Sequence, residues 1–192
     1  MNHDRYDDSY IRGILNTVKT IAMVGASEKE NRPSYFAFKY LLERGYKMIP
    51  VNPGHAGEDM LGQRIYARLA DIPEPVDMIV IFRGPQYARA IVQEALALKT
   101  RPQVIWMQLG VRNDEAAALA EANGMKVVMN RCPKIEYGRL SSEIAWMGVN
   151  TRTLSSKKGT IGGIQRMTLN RTSAQGGATT AADRVQREEG GH

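Results

Sequence analysis

The feature that most constrains the fold is a regular alternation of short apolar runs and amphipathic segments through the first 150 residues. One run, DMIVIF, is apolar at consecutive positions, which is typical of a parallel strand covered by helices on both faces. The segments between the runs carry apolar residues three and four positions apart, and this spacing favours helices. The five predicted strands are Thr20–Val24, Lys47–Val51, Asp77–Phe82, Gln103–Met107 and Lys126–Met129.

Strands and helices that alternate in this way predict the α/β fold class. We expect a Rossmann-like, doubly wound, mostly parallel five-stranded sheet with helices on both faces, formed as a single domain. Capping residues or prolines stand where the helices should start, and glycines stand where two of them should end. The predicted helices begin near Asp8, Pro33, Gly84, Asn113 and Pro133.

The alternation stops at about residue 150, which predicts one folded domain over residues 1–150 and a tail over 151–192. The tail is rich in Gly, Ser, Thr, Ala and Arg and has no sustained apolar period, a composition that favours disorder. Residues 1–150 hold 19 Lys/Arg and 17 Asp/Glu, a net of +2, whereas residues 151–192 hold 7 and 3, a net of +4. Most of the chain's +6 charge therefore belongs to the basic tail.

Composition excludes several functional classes. No apolar run approaches the roughly 18 residues that span a bilayer, so no membrane association is expected, and the acidic N-terminus does not resemble a signal peptide. A single cysteine, Cys132, rules out an internal disulfide and suits the cytoplasm, which is the predicted location. The near-neutral domain has no aromatic-basic face, which argues against nucleic acid as a partner.

The loop after the first predicted strand has the features of a phosphate site. Gly25 permits a tight turn and a close approach of the backbone to a ligand, and the next helix would point its first amides at an anion. Ser27, Lys29 and Arg32 add donors and positive charge. The alternative is that Gly25 only packs helix against strand while the two cations are solvated.

The end of the second predicted strand helps to choose the nucleotide. NAD-binding proteins usually place an acid there for the ribose hydroxyls, but this chain has Asn52 followed by Pro53. Ser27 and Glu30 occupy the positions of the second and third fingerprint glycines. A nicotinamide dinucleotide is therefore disfavoured, although Arg32 leaves NADP open as an alternative.

Several linked segments together resemble the CoA-binding domain family, small Rossmann-like proteins related to the CoA-binding, nucleotide-binding domain of the succinyl-CoA synthetase alpha subunit. The resemblance covers about residues 10–150, and the order and spacing of the segments make it specific. The segments are VGAS, RPSYFAFKYLLERGY, IPVNPGHAGEDMLGQRIY, VDMIVIFRGP, VIWMQLGV and NRCPKIEYGRL.

This resemblance implies coenzyme A or an acyl-CoA as the ligand and places it along the ends of the strands. The first loop would hold the diphosphate and 3′-phosphate, the second the adenosine, the next two the pantetheine, and the last the thiol. The implied contact residues are Gly25, Ala26, Ser27, Lys29, Arg32, Asn52, Pro53, Arg83, Gly84, Pro85, Gln108, Leu109, Gly110, Asn130, Arg131 and Cys132.

The synthetase relatives require a phosphorylated histidine from a second domain, and this chain has three histidines. His3 and His192 lie near the termini, and His55 is interpreted as a solvated loop residue. No P-loop, catalytic carboxylate pair or metal-ligand spacing is present, so no catalytic or metal-binding residue is predicted. The leading hypothesis is a non-catalytic carrier, sensor or partner subunit. The alternatives are a ligase subunit that needs a partner chain and an NADP-binding protein, and a homo-oligomer is also consistent.

Cys132 has two interpretations. A lone cysteine is most often an unreactive, buried, small apolar residue. Its position beside Arg131, next to the implied CoA thiol, instead suggests a redox or mixed-disulfide role.

Overall fold

A computed structural model describes residues 1–141. The predicted tail at 151–192 and the end of the predicted domain lie outside the described residues. The helices are α1 (Asp8–Thr17), α2 (Pro33–Glu43), α3 (Pro85–Leu96), α4 (Asp114–Ala122) and α5 (Pro133–Leu140). The strands are β1 (Thr20–Val24), β2 (Lys47–Val51), β3 (Asp59–Met60), β4 (Gln63–Arg64), β5 (Met78–Ile81), β6 (Val104–Met107) and β7 (Lys126–Val128).

Five strands form one sheet in the order β2-β1-β5-β6-β7, and every neighbouring pair is parallel. The chain steps from β1 to the outer strand β2 and then crosses back to β5 on the other side of β1. The strand order thus reverses between β1 and β5, and this reversal opens a crevice at the carboxyl ends of the two strands. The predicted α/β, Rossmann-like sheet is confirmed.

Two apolar layers, one on each face of the sheet, hold the helices in place. Alternate residues of β1 point to opposite layers: Ile21 and Met23 join one core, and Ala22 and Val24 join the other. The first core packs against α1, α2 and α5, and the second packs against α3 and α4. Because strands covered on both faces must be apolar at consecutive positions, β5 and β6 are buried at every residue.

Both edges of the sheet are covered. At the β2 edge, β3 and β4 pair as a small antiparallel hairpin, and Tyr66 forms a parallel bridge with Val51. At the β7 edge, the Tyr10 hydroxyl accepts from the Val127 amide at 3.1 Å and donates to the Val127 carbonyl at 3.2 Å, while the Tyr6 hydroxyl accepts from the Met129 amide at 2.7 Å. Burial raises the pKa of both phenols, so they stay protonated at neutral pH. The N-terminal segment therefore satisfies backbone groups that a free edge strand would leave open.

Within residues 1–141, no helix combines the length and the apolar character required to cross a membrane.

Candidate functional site

A cleft of about 680 Å³ lies over the crevice between β1 and β5. The loops that follow β1, β2, β5 and β6 form its walls. Ten of the sequence-predicted residues line it: Gly25, Ser27, Lys29, Arg32, Asn52, Arg83, Gly84, Pro85, Gln108 and Gly110. Leu109 lines it as well. The fold therefore brings together residues that lie up to 85 positions apart in the chain, as ligand sites of open α/β sheets require.

Gly25 is fixed by the close approach of two strand ends. Its φ is +89°, a region that favours glycine, and a Cβ built on it would lie 2.5 Å from the Phe82 carbonyl oxygen. Its amide donates to the Val51 carbonyl at 2.9 Å. The turn after β1 is thereby held against the ends of both neighbouring strands, and Gly25 lines the cleft there.

The first turn of α2 faces the cleft and has no side-chain cap. Arg32 is the N-cap residue, but its side chain makes no capping hydrogen bond, and Pro33 at the first helical position has no N–H to satisfy. Ser34 also lines the cleft and is almost completely buried. The Tyr35 and Phe36 amides donate to the Arg32 carbonyl at 3.0 and 3.4 Å, so the Ser34 amide is the one in this turn that has no acceptor within residues 1–141. An amide at the positive end of a helix dipole is a suitable donor to phosphate.

The loop between β1 and α2 is braced by its own side chains. The Ser27 hydroxyl oxygen accepts from the Lys29 amide at 3.3 Å, and the Tyr35 hydroxyl donates to a Glu30 carboxylate oxygen at 3.2 Å. Within residues 1–141, neither Lys29 nor Arg32 forms an ion pair. Both cations are therefore available to an anionic ligand.

Asn52 ties three loops together at the end of β2. Its Nδ2 donates to the Ala26 carbonyl at 2.7 Å, and its Oδ1 accepts from the Gly54 amide and from Arg83 Nη2, both at 3.1 Å. Because Arg83 is oriented by a neutral amide, its positive charge is not cancelled by this contact. The lining of the cleft includes Lys29, Arg32 and Arg83 and, among the described residues, no carboxylate.

The loops after β6 and β7 close the far end of the cleft. Asn130 has a φ of +53°, and its Oδ1 accepts from the Gly110 amide at 2.8 Å. Asn130 thus supports the loop but does not line the cleft. Gln108 does line it, and in the described part of the chain its buried Oε1 has no hydrogen-bond donor.

Two further sequence-predicted residues lie beside the cleft. Ala26 is completely buried and contributes its carbonyl to Asn52. Pro53 starts a short 3-10 turn, Pro53–His55, and lines a neighbouring groove that also contains Tyr87. The sequence alone could not separate these supporting positions from lining positions, because both kinds occur in the same loops.

Arg131 and Cys132 line a second cavity of about 510 Å³. Leu109 borders both this cavity and the cleft, so the two are neighbours along the same edge of the sheet. Arg139, also in this cavity, bonds to Asp8 and to Glu136, each at 2.8 Å. The hydrogen bond from Arg139 lowers the pKa of the Asp8 carboxyl. Arg131 and Cys132 therefore lie in a separate cavity, beside the ion pairs of Arg139.

His55 is a loop residue with 33% of its side chain exposed, and its contacts were not expected from the sequence. It lines the cleft and is partly buried, and its Nδ1 lies 3.0 Å from Glu58 Oε2 and 3.5 Å from Glu28 Oε2. It was interpreted as a solvated loop residue because nothing in its local sequence indicates a contact with the loop after β1. The other lining residues not predicted were Pro33, Ser34, Phe82 and Val111.

Known proteins match this chain over the same region that builds the cleft. It is 33% identical over 127 residues to the uncharacterized protein YneT of Bacillus subtilis, which covers 66% of this chain and 91% of YneT. A solved hypothetical protein from Pyrococcus horikoshii OT3 is 37% identical and superposes with a TM-score of 0.67 over 73% of this chain and 96% of that one.

A further relative is an enzyme subunit. The chain is 32% identical over 80 residues to the alpha subunit of ADP-forming acetate–CoA ligase I from Pyrococcus furiosus, which is 40% of this chain and 17% of the subunit. The chain thus spans less than a fifth of that protein. The family model described as "CoA binding domain" matches residues 19–138, from the start of β1 into α5. This protein belongs to the CoA-binding domain family.

Proposed function

We propose that the protein binds coenzyme A or an acyl-CoA in the cleft between β1 and β5. One observation carries this proposal: three cations, without carboxylate partners within residues 1–141, and a helix start without a side-chain cap converge on a cleft at the reversal of strand order. Such a site suits a ligand with several phosphates. Membership of the CoA-binding domain family supports CoA over other polyphosphates.

The diphosphate would bind at the loop after β1. Gly25 allows the backbone to approach it, Ser27 and the Ser34 amide of α2 donate to it, and Lys29 and Arg32 supply charge. Asn52 holds the neighbouring loop where the adenosine would lie. The phosphate groups carry the charge of CoA, so these residues should contribute most of the affinity.

The pantetheine would run past Arg83, Gly84 and Pro85 toward Gln108. A buried oxygen without a donor costs about 1–3 kcal/mol, and Gln108 Oε1 is such an oxygen among the described residues. The pantetheine arm carries two amide N–H groups, either of which would satisfy it. A nicotinamide dinucleotide fits the second loop less well, because Asn52 replaces the expected acid and is already committed to three contacts.

We propose that the chain acts without catalysis of its own, as a carrier, a sensor or a subunit. The similarity to part of an acetate–CoA ligase alpha subunit favours one second candidate, a ligase subunit that works with a partner chain. Under that candidate the partner supplies the nucleotide site and the phosphorylated histidine. A chain tested alone should then show no formation of acetyl-CoA from acetate, ATP and CoA.

Isothermal titration of the full chain tests the ligand. CoA and acetyl-CoA should bind at one site per chain and more tightly than NAD or NADP. Tighter binding of NADP would replace the proposal with a nicotinamide function. A stable complex with a second protein, together with ligase activity in the complex only, would establish the subunit role over the carrier role.

A further inference from the structure

Three side chains from separate turns of the chain meet beside the cleft, and one of them, His55, lines it. Glu28 follows β1, His55 ends the 3-10 turn after β2, and Glu58 precedes β3. His55 Nδ1 lies 3.0 Å from Glu58 Oε2 and 3.5 Å from Glu28 Oε2, and one donor atom from each residue lies within 4.8 Å of the others. Residues 27 and 3 positions apart match no metal-binding motif, which is why the sequence did not indicate the group.

The distances suit a shared metal ion. Two nitrogen or oxygen ligands bound tetrahedrally at about 2.0–2.1 Å lie about 3.3 Å apart, and the two distances from His55 fall on either side of that value. Imidazole nitrogen and carboxylate oxygen are both ligands that a zinc-type ion accepts, and three protein ligands leave a further position open. The two distances from His55 therefore fit an ion, and the ligand atoms of Glu28 and Glu58 lie within 4.8 Å of each other.

The charge and burial of the group point the same way. Glu28 Oε2 is buried and accepts no hydrogen bond from any residue in 1–141, and its ion-pair contact within these residues is the longer one, to His55 at 3.5 Å. With a neutral imidazole, the group carries two negative charges beside one another. A divalent cation would satisfy Glu28 Oε2 and balance both charges, whereas the ion pair with His55 alone leaves that oxygen without a donor.

We propose that Glu28, His55 and Glu58 form a binding site for a divalent transition-metal ion of the zinc class. The ion would bind Nδ1 of the histidine and one oxygen of each glutamate. His55 lines the cleft, so the open coordination position would face the cleft and hold water or an anionic oxygen of a ligand. Bound metal would also tether the loop after β1 to the loop after β2.

Titration of the untagged, full-length protein after removal of metals with a chelator tests the site. The titration is run without CoA, so its result does not depend on the proposed nucleotide ligand. Zn²⁺ should bind at one saturable site per chain and raise the melting temperature, Mn²⁺ should bind more weakly, and Mg²⁺ weakest of all, because the set includes an imidazole. His55→Ala, Glu28→Gln and Glu58→Gln should each weaken Zn²⁺ binding at least tenfold.

The matched control is His3→Ala. His3 also contacts a carboxylate, with Nε2 3.4 Å from Glu121 Oε1, but no third ligand is described there. This variant should bind Zn²⁺ as the unmodified protein does. Absence of saturable Zn²⁺ binding would overturn the proposal and leave the group as an ion-pair network. Zn²⁺ binding that survives His55→Ala, or that is lost in His3→Ala, would place the metal elsewhere and overturn it equally.

Discussion

The two cavities along the carboxyl edge of the sheet differ in how their arginines and lysines are used. In the cleft, Lys29 and Arg32 form no ion pair within residues 1–141, and Arg83 contacts the neutral side chain of Asn52. In the second cavity, Arg139 is bound by two carboxylates, and Arg131 lies 3.8 Å from a Glu136 oxygen and stacks over Tyr6. Arginines in two neighbouring cavities therefore have different roles, which depend on the residues that surround them.

This difference indicates which lysines and arginines should bind a negatively charged ligand. A cation that is already paired with an acid gains little from an added phosphate, because the phosphate must compete with that acid. A cation without a neighbouring acid can interact with the phosphate without this competition. We therefore expect the ligand in the cleft. In the second cavity, the Arg139–Asp8 ion pair joins α5 to α1, since Asp8 belongs to α1 and Arg139 belongs to α5.

The largest expected effect comes from closing the floor of the cleft with Gly25→Ala. The new Cβ would combine a left-handed φ with a clash against the Phe82 carbonyl, and we expect a loss of about 2–4 kcal/mol in the free energy of unfolding. Binding of CoA should fall below detection. Denaturant unfolding and titration measure the two effects.

Gly57→Ala is the control for Gly25→Ala. Gly57 has a similar φ of +91°, but a Cβ there would meet nothing within 4 Å among the described residues. This variant should lose only about 1–2 kcal/mol, the conformational cost alone, and should keep CoA binding. Equal losses for both variants would show that the close approach to Phe82 does not matter.

The next effect tests the unpaired cations of the cleft. Lys29→Ala and Arg32→Ala each remove a charge-assisted contact worth about 1.5–3 kcal/mol, so CoA affinity at low salt should fall roughly tenfold or more. Added salt should narrow the difference because it screens the charge. Arg139→Ala removes a paired charge from the second cavity and should change CoA affinity little. A larger loss for Arg139→Ala than for Lys29→Ala would reverse the comparison.

A third experiment tests whether bound CoA extends from the cleft, past Leu109, into the second cavity as far as Cys132. Cys132 is nearly buried at the start of α5 and lines the second cavity. If the CoA thiol reaches it, diamide will take two electrons and two protons from the two thiols and leave a mixed disulfide. Intact mass should rise by one CoA, reductant should remove the addition, and Cys132→Ser should prevent it. No addition while CoA is bound would mean that the thiol ends within the cleft.

Most of the fold followed from the sequence because each strand and helix is fixed by local periodicity. The predicted β1 and β2 agree with the structure at both ends. The cleft followed in large part too, since parallel strands bring their carboxyl ends to one edge. Contacts between loops, in contrast, could not be predicted from local sequence patterns. His55 meets Glu28 across two loops, Asn130 serves Gly110 rather than the cleft, and Arg131 turns toward Tyr6.

The smallest expected effect is a change in melting temperature at acid pH, caused by the Asp8–Arg139 ion pair of the second cavity. The hydrogen bond from Arg139 lowers the pKa of Asp8 below its ordinary value of 3.8, so the folded state binds this proton less readily than the unfolded state does. The contribution of Asp8 to stability is therefore fully present above the unfolded pKa and is lost as the pH falls through the folded pKa. Asp8→Asn should melt slightly below the unmodified protein at pH 7, and the two melting temperatures should converge as the pH falls well below about 3.8.

Asp7→Asn is the matched control, because the neighbouring Asp7 side chain makes no capping hydrogen bond and no ion pair among the described residues. It should show no such convergence. Melting differences for Asp8→Asn that persist unchanged into strong acid would mean that the ion pair with Arg139 does not hold α5 against α1.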